Sequence, residues 1–414
     1  MKTPIALTTT LALAWWAFPG HAAFVGESRA ELTARNFVAE RAPAHQVRRT
    51  DPLANRKGDT VLYVFHLAPG GFVLIAANDL LPPVIGWSPR NDFPLEGPAF
   101  KRVGRLLVAD VDLRLSEAPK LPLEKLAERL RSWQNATSAP VSSSTVQYWP
   151  PAGTTATGGW VETQWDQGAP YNDDCPVDPL TSQRSVAGCP AVAMAQILEL
   201  HRTTNGTRLD DGDDYHHLYA GRNFWIDDDW QTHGFPSFAT LSSSLGALDT
   251  RYDAGLPADD PGAAALVFAC GVAATQVYTS TVSGTFGVAQ AVQAYERFSF
   301  QGFELLVEGD PGLYERMEHN AKNALPVHLA VVDPDWTVGH NVVVDGYCTD
   351  GTFHVNFGWG GPYDGWYLLP DEMPYGLTVV EGAIVDLAPA LFEDGFESGD
   401  TSSWSTVTPA VDAP

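Results

Sequence analysis

Between Glu27 and Ala42 the apolar residues Leu32, Phe37 and Val38 recur at helical spacing among charged ones, which predicts a helix. Thr60–His66 and Gly70–Ala77 are apolar, β-branched and aromatic runs joined through Ala68-Pro69-Gly70-Gly71, the pattern of a two-stranded hairpin. Helical periodicity returns over Leu106–Leu115 and Leu123–Trp133, with basic residues between the apolar ones. Residues 23–133 therefore read as a small α+β domain. The pattern then breaks: Asn135–Ser144 and Pro150–Gly159 are small, polar and rich in Pro, Gly, Ser and Thr, so 134–159 reads as a linker. Such a stretch is poorly protected from proteolysis and is a candidate maturation site as well as a tether.

From Trp160 to about 390 the chain is aromatic-rich, with a helix near 189–201 and strands over Pro326–Val332, Asn341–Asp345 and Thr352–Phe357. This is the larger domain, also α+β. Residues 391–414 form a tail too polar and Gly/Ser-rich to build a core, with no role legible in it. No internal repeat or heptad series is present.

The opening residues follow a different pattern. Met1-Lys2 precedes the apolar run Ile5–Phe18, and small residues stand at −3 and −1 if cleavage follows Ala22. Residues 1–22 are expected to be a signal peptide, the run of about 14 residues being shorter than the roughly 20 that span a bilayer. The product is then secreted, extracellular or periplasmic, and makes no membrane contact in its mature form; the later run Gly262–Ala274 is also too short to span. In an oxidising compartment the 4 cysteines could form two disulfides, or one disulfide and two thiols, too few for a disulfide scaffold.

Charge narrows the partners. The formal net charge of −25 opposes polyanions, so nucleic acid is not an expected partner. Residues 1–140 hold 17 Lys and Arg against 13 Asp and Glu, whereas 141–414 hold 8 against 37, so the two parts attract. The acidic cluster Asp210–Asp214 lacks the ligand spacing of a calcium loop and reads as a solvated loop.

Cys189 is the residue with the most suggestive setting. It stands in Gly188-Cys-Pro-Ala-Val-Ala-Met-Ala-Gln-Ile197, where Pro190 suits a first helical turn and Val192, Ala195, Ile197 and Leu198 form one apolar face. A thiol at a helix N-terminus meets unpaired N–H groups and the positive end of the dipole, which favour thiolate. Taken alone, such a cysteine is more often a small buried hydrophobe, so a base is needed. Of 11 histidines, His340 in Thr337-Val-Gly-His-Asn-Val-Val-Val-Asp345 is the best placed, at the start of a strand and after a glycine that admits a substrate backbone. A chain reversal centred near Cys348 would put Asn356 opposite His340, where its amide carbonyl could fix the imidazole tautomer. An oxyanion donor could come from Gln167, about twenty residues before the thiol, with Gln164 as the competing choice.

Gln164-Trp-Asp-Gln-Gly-Ala-Pro-Tyr-Asn172, the segment around Cys189, Gly339–Tyr347 and His354-Val-Asn-Phe-Gly-Trp-Gly-Gly361 together resemble the streptopain family of exported, papain-like cysteine peptidases. The likeness extends through Leu62–Ile75 and Pro83–Ser88 to that family's inhibitory prodomain. It implies a papain-like domain in 160–390, an inhibitory prodomain in 23–133, and no metal or organic cofactor. It implies Cys189 as nucleophile, His340 as base and acid, Gln167 in the oxyanion hole and Asn356 as orienter. Ser280, the backbone near Gly339 and Trp359 would touch a protein or peptide substrate. Two positions depart from the family pattern. Phe357 replaces the first tryptophan of Trp-Gly-Trp, removing an indole N–H beside the histidine, and Pro190 replaces an aliphatic residue, removing a backbone N–H. The function implied is a secreted cysteine endopeptidase made as a zymogen. Its rivals are an exported binding or inhibitory protein that has lost turnover, and an amidase or transferase with the same dyad.

Overall fold

The computed structural model describes residues 23–138, 146–307, 309–369 and 380–389. The expected signal peptide and tail, and residues 139–145 of the expected linker, lie outside the described residues.

The N-terminal region packs helix α1 (Glu27–Arg41) against an antiparallel meander of β1 (Gln46–Ala54), β2 (Thr60–Ala68), β3 (Phe72–Ala76) and β4 (Val84–Ser88). Every residue of β3 is buried because both faces of the meander are covered, which is why its sequence runs apolar without alternation. Helix α2 (Gly97–Glu117) starts well before the expected Leu106. Pro98 suits its first turn, and Phe100, Val103 and Leu107 already carry the apolar stripe. Helix α3 (Leu123–Thr137) follows and buries Trp133, whose indole N–H donates to the Leu81 carbonyl at 2.8 Å.

The C-terminal region opens with the short strand β5 (Tyr148–Trp149) and the buried helix α4 (Cys189–His201). The hairpin β6 (Tyr215–Tyr219) and β7 (Arg222–Ile226), the single turn α5 (Trp230–His233), and helices α6 (Phe238–Asp253), α7 (Asp260–Ala273) and α8 (Val288–Arg297) come next. The remaining elements among the described residues are β8 (Phe300–Gln301), β9 (Glu304–Leu306), α9 (Leu313–Lys322), β10 (Val327–Val332), β11 (Gly339–Cys348), β12 (Thr352–Asn356), β13 (Gly365–Leu368), β14 (Val380–Val385) and β15 (Ala388–Pro389).

One sheet joins the two regions, in the order β1-β2-β3-β4-β13-β12-β11-β10-β14-β9. The seam is β4 on β13, with Trp87 opposite Trp366 and Gly86 opposite Tyr367. A Cβ at Gly86 would lie 2.7 Å from the Tyr367 ring, so only glycine allows this approach. The sheet separates two cores. Leu329, Val342 and Val344 face the core shared with α2, while Ala330, Val343 and Ile384 face the core built by α4, α6 and α7. Strand alternation therefore sends His340 to the α2 face with Val342 and Asn341 to the α4 face with Val343.

The described part of 134–159 is not a free tether. β5 pairs with β11, and Tyr148 packs edge-on to Trp366 at 5.0 Å. Lys322 lies 4.9 Å over the Trp149 ring, so the bulky residues within the polar stretch hold it to the sheet. The expected disulfides are not formed. Cys175, Cys189, Cys270 and Cys348 are all buried free thiols, and the last three sit on different elements.

Candidate active site

Gly188 begins the site. It holds φ at 88°, and a Cβ there would lie 2.5 Å from Gln276 Oε1, so the tight entry into α4 requires glycine. Cys189 follows as the first residue of α4, 5% exposed, at the base of a cleft of about 760 Å³ between the helix layer and the sheet. Burial disfavours its thiolate, but His340, Arg102 and the backbone N–H of Asn341 more than offset this and bring the thiol down to about 6. The other thiols shift the opposite way: burial raises Cys175 and Cys270 far above the ordinary range and Cys348 to about 11. Cys189 is thus the one cysteine electrostatically prepared for nucleophilic chemistry.

His340, 1% exposed, stands across the cleft on β11. Its Nε2 lies 2.8 Å from the Phe357 carbonyl, while Nδ1 is buried with no partner at hydrogen-bonding distance and is the nitrogen left for the thiol. The Phe357 and Trp359 rings lie nearly parallel to the imidazole at 6.2 and 5.8 Å and shield it from water. The indole N–H of Trp359 points at Nε2 from 3.2 Å. When Nε2 carries a proton it donates to Phe357, and the indole then has no lone pair to meet. The indole N–H beside the histidine is therefore present despite the phenylalanine at 357, supplied by Trp359.

Asn356 does not face His340. The hairpin turns about two residues later than Cys348, near Asp350, and carries a bulge between Val344 and Gly346, so Asn356 pairs with Val343. Its amide donates to the Thr163 carbonyl at 2.9 Å and forms a reciprocal pair with Gln196 of α4 at 3.2 and 3.3 Å. Its Oδ1 also accepts from the Gly358 N–H at 2.9 Å. The imidazole is oriented instead by the backbone carbonyl of Phe357. Asn356 acts one step away, fixing the turn that presents that carbonyl.

The two glutamines differ clearly. Gln167 is tied beside the thiol by its carbonyl, which accepts from the Ala187 N–H at 2.8 Å, and its buried Nε2 lines the cleft without a hydrogen-bond partner. Gln164 spends its amide on Asn91 Oδ1 at 3.0 Å. An unpartnered buried donor beside a nucleophile is what an oxyanion hole looks like before substrate arrives.

Ser280 does not reach the cleft. Its hydroxyl and N–H both donate to Asp178 Oδ2, at 3.0 and 2.9 Å, and Asp178 is held in turn by Arg222. The carboxylate thus claims Ser280, and Thr281–Phe286 line the cleft in its place. Gly339 and Trp359 do line it. Sequence reasoning missed Arg102 of α2, whose Nη1 lies 3.7 Å from the Cys189 sulfur and donates to the Gly339 carbonyl at 3.3 Å. No local signal marks it, since α2 lies far away in sequence.

Known proteins align with this arrangement. The model of the Peptidase C10 family matches residues 165–367, and that of the Spi protease inhibitor matches 22–107. Thiol protease/hemagglutinin PrtT of Porphyromonas gingivalis is 26% identical over 365 residues, covering 83% of this chain and 38% of the relative. Streptopain of Streptococcus pyogenes is 23% identical over 350 residues, covering 78% of this chain and 77% of the relative. The structure of prointerpain A of Prevotella intermedia superposes with a TM-score of 0.54 at 22% identity, covering 84% of this chain and 99% of that one, and so shares its fold. A thiol on a helix facing an imidazole on a sheet, preceded by an inhibitor region, defines the class as a cysteine-type peptidase with a prodomain. This chain belongs to the Peptidase C10 family, that of streptopain and PrtT. It spans 38% of the length of PrtT.

Proposed function

We propose that the chain is a secreted cysteine endopeptidase, made as a zymogen, that hydrolyses peptide bonds through Cys189 and His340. The observation that carries this reading is the thiol held near 6 at the start of α4, facing an imidazole whose far nitrogen is already engaged. His340 Nδ1 takes the thiol proton and Sγ attacks the peptide carbonyl carbon. The oxyanion accepts from Gln167 Nε2 and the Cys189 N–H, one of the unpaired first N–H groups of the helix. As the C–N bond breaks, Nδ1–H protonates the leaving amine and a thioester remains. Water attacks the thioester, His340 takes its proton, and Sγ leaves as thiolate. The peptide backbone runs past Gly339 and Trp359.

In the full chain Arg102 occupies this path, between the thiol and the Gly339 carbonyl, which supports the prodomain as the chain's own inhibitor. Residues 23–133 serve as that prodomain, 134–159 contain the maturation site, and 160–390 form the peptidase.

The test is casein hydrolysis together with labelling by an epoxysuccinyl thiol-protease inhibitor. Wild type is expected to hydrolyse casein and take one label on Cys189, and Cys189→Ala to do neither and to remain unprocessed. Full hydrolysis by Cys189→Ala would end the assignment.

A further inference from the structure

Two consecutive residues of β11 reach the same sulfur from different sides. His340 leaves the strand on the α2 face. Asn341 leaves on the α4 face, and its Nδ2 lies 3.9 Å from Cys189 Sγ. Behind Asn341 the polar contacts continue inward: its Oδ1 lies 2.7 Å from His328 Nε2, and His328 Nδ1 lies 3.1 Å from the Tyr295 hydroxyl. The sheet makes this possible, because His328 on β10 pairs with Val343 and is therefore the diagonal neighbour of Asn341 on one face. His328 is 0% and Tyr295 1% exposed, among apolar residues of the α4 core. Two polar side chains sealed in an apolar layer cost desolvation unless each is satisfied, and here Tyr295 is satisfied by His328 and His328 by Asn341, which is half-buried at the cleft.

The direction of the chain follows from its outer end. A thiolate attracts the N–H end of an amide and repels its carbonyl, so Nδ2 faces Sγ and Oδ1 faces His328. Nε2 of His328 must then carry the proton and donate, leaving Nδ1 to accept from the Tyr295 hydroxyl. Burial pulls His328 down to about 4, so the ring stays neutral and keeps this tautomer above that pH. We propose that Tyr295, His328 and Asn341 form a buried hydrogen-bonded relay that aims a second donor at Cys189 Sγ and stabilises its thiolate from the helix side, independently of His340. Asn341 touches the reacting atom; His328 and Tyr295 are positioning residues. The inference rests on Cys189 being the nucleophile. It gives the thiolate a partner that persists while His340 hands its proton to the leaving amine and again when sulfur departs from the thioester.

The groups acting on Cys189 are His340, the backbone N–H and the side-chain Nδ2 of Asn341 from β11, and Arg102 from α2, of which the Asn341 backbone N–H stays in every variant; those facing His328 are Asn341 and Tyr295. The test uses the full chain and follows alkylation of Cys189 by iodoacetamide against pH, located by peptide mapping. In wild type the rate is expected to rise through about pH 6. Asn341→Ala and Asn341→Leu should move that midpoint up by roughly 0.5–1 pH unit, about three- to tenfold less thiolate below it. His328→Phe should shift it in the same direction by less, and Tyr295→Phe, which removes one hydroxyl, by a few tenths. A purely structural role would lower the Tm of these variants and leave the midpoint in place. Should Asn341 variants fail to fold, the Tyr295→Phe midpoint decides, and a wild-type value there overturns the relay. A wild-type enzyme whose own midpoint lies at an ordinary thiol value would instead overturn the nucleophile assignment, and the relay with it.

Discussion

The two walls of the cleft are positioned by different kinds of contact. On the helix wall, Cys189 is placed by its immediate neighbours, the positive φ of Gly188 and Pro190 in the first turn, and Gln167 by a single backbone bond to Ala187. On the sheet wall, His340 depends on the registers of β10, β11 and β12 and on a carbonyl presented by a turn seventeen residues on. Damage to the helix wall should therefore be local and severe. Damage to the sheet wall should be shared among several supports and come mixed with lost stability.

Gln167 offers the sharpest break. Gln167→Ala removes the proposed oxyanion donor, an amide nitrogen with no hydrogen-bond partner of its own, so kcat should fall about 10²–10³-fold with little change in KM or Tm. Gln164→Ala loses its contacts with Asn91 and Asp364, away from the thiol, and should hydrolyse peptides at close to the wild-type rate once processed. The reverse ranking, in steady-state kinetics of both variants, would exchange their roles.

Asn356 tests the opposite wall. Asn356→Ala breaks the amide pair with Gln196 and loosens the turn that carries Phe357, so the expected result is about a tenfold loss in kcat together with a destabilisation of about 1–3 kcal/mol. A loss of several orders of magnitude with an unchanged Tm would mean that the amide acts on His340 directly.

The same division explains what the sequence made legible. The helix start at Cys189, the helix over 189–201 and the strands of β10 to β12 are written in local patterns, and the structure places them close to those bounds. Cys189, His340 and Gln167 were singled out by residue type and setting, and all three line one cleft. The partner of His340 was not legible, because a bulge and a late turn shift the register by three residues, from His340 to Val343, and an odd shift carries Asn356 to the other face. Ser280 was lost to Asp178, a competitor about a hundred residues away. A backbone carbonyl such as that of Phe357 has no residue signature at all. Asn341 did carry a signal, an amide next to His340 and immediately before the apolar Val-Val-Val run, which can be read only once β10 is known to bring His328 alongside it.

Arg102 extends the comparison to the closed state, since it spans both walls, from the Cys189 sulfur to the Gly339 carbonyl. Arg102→Gln should open the cleft more often, and Cys189 in the full chain should react about tenfold faster with an epoxysuccinyl inhibitor at pH 7, where most of the thiol is already ionised. An unchanged rate would place the block elsewhere, in the α2 backbone itself.

The smallest effect should come from salt. The two regions carry opposite net charge, and ion pairs cross between them at Arg105–Asp333, Arg56–Asp335 and Arg41–Asp350, each 3.0 Å. Arg56 and Asp335 are largely exposed, and such pairs contribute little and are screened. By contrast, α2 lies on the sheet against Leu329, Val342, Val355 and Tyr367, and β4 is hydrogen-bonded to β13; neither contact responds to ionic strength. Burial opposes the Asp333 carboxylate, but Thr337, Val338 and Arg105 hold it below the usual range, so its pair with Arg105 survives mild acid and is lost only as pH falls further. Raising salt from about 0.05 to 0.5 M should therefore speed inhibitor labelling of the full chain by no more than about threefold, and lowering pH from 7 to 5 should not release Arg105. A labelling rate that climbs by orders of magnitude with salt would show that charge, rather than the shared sheet, keeps the cleft closed.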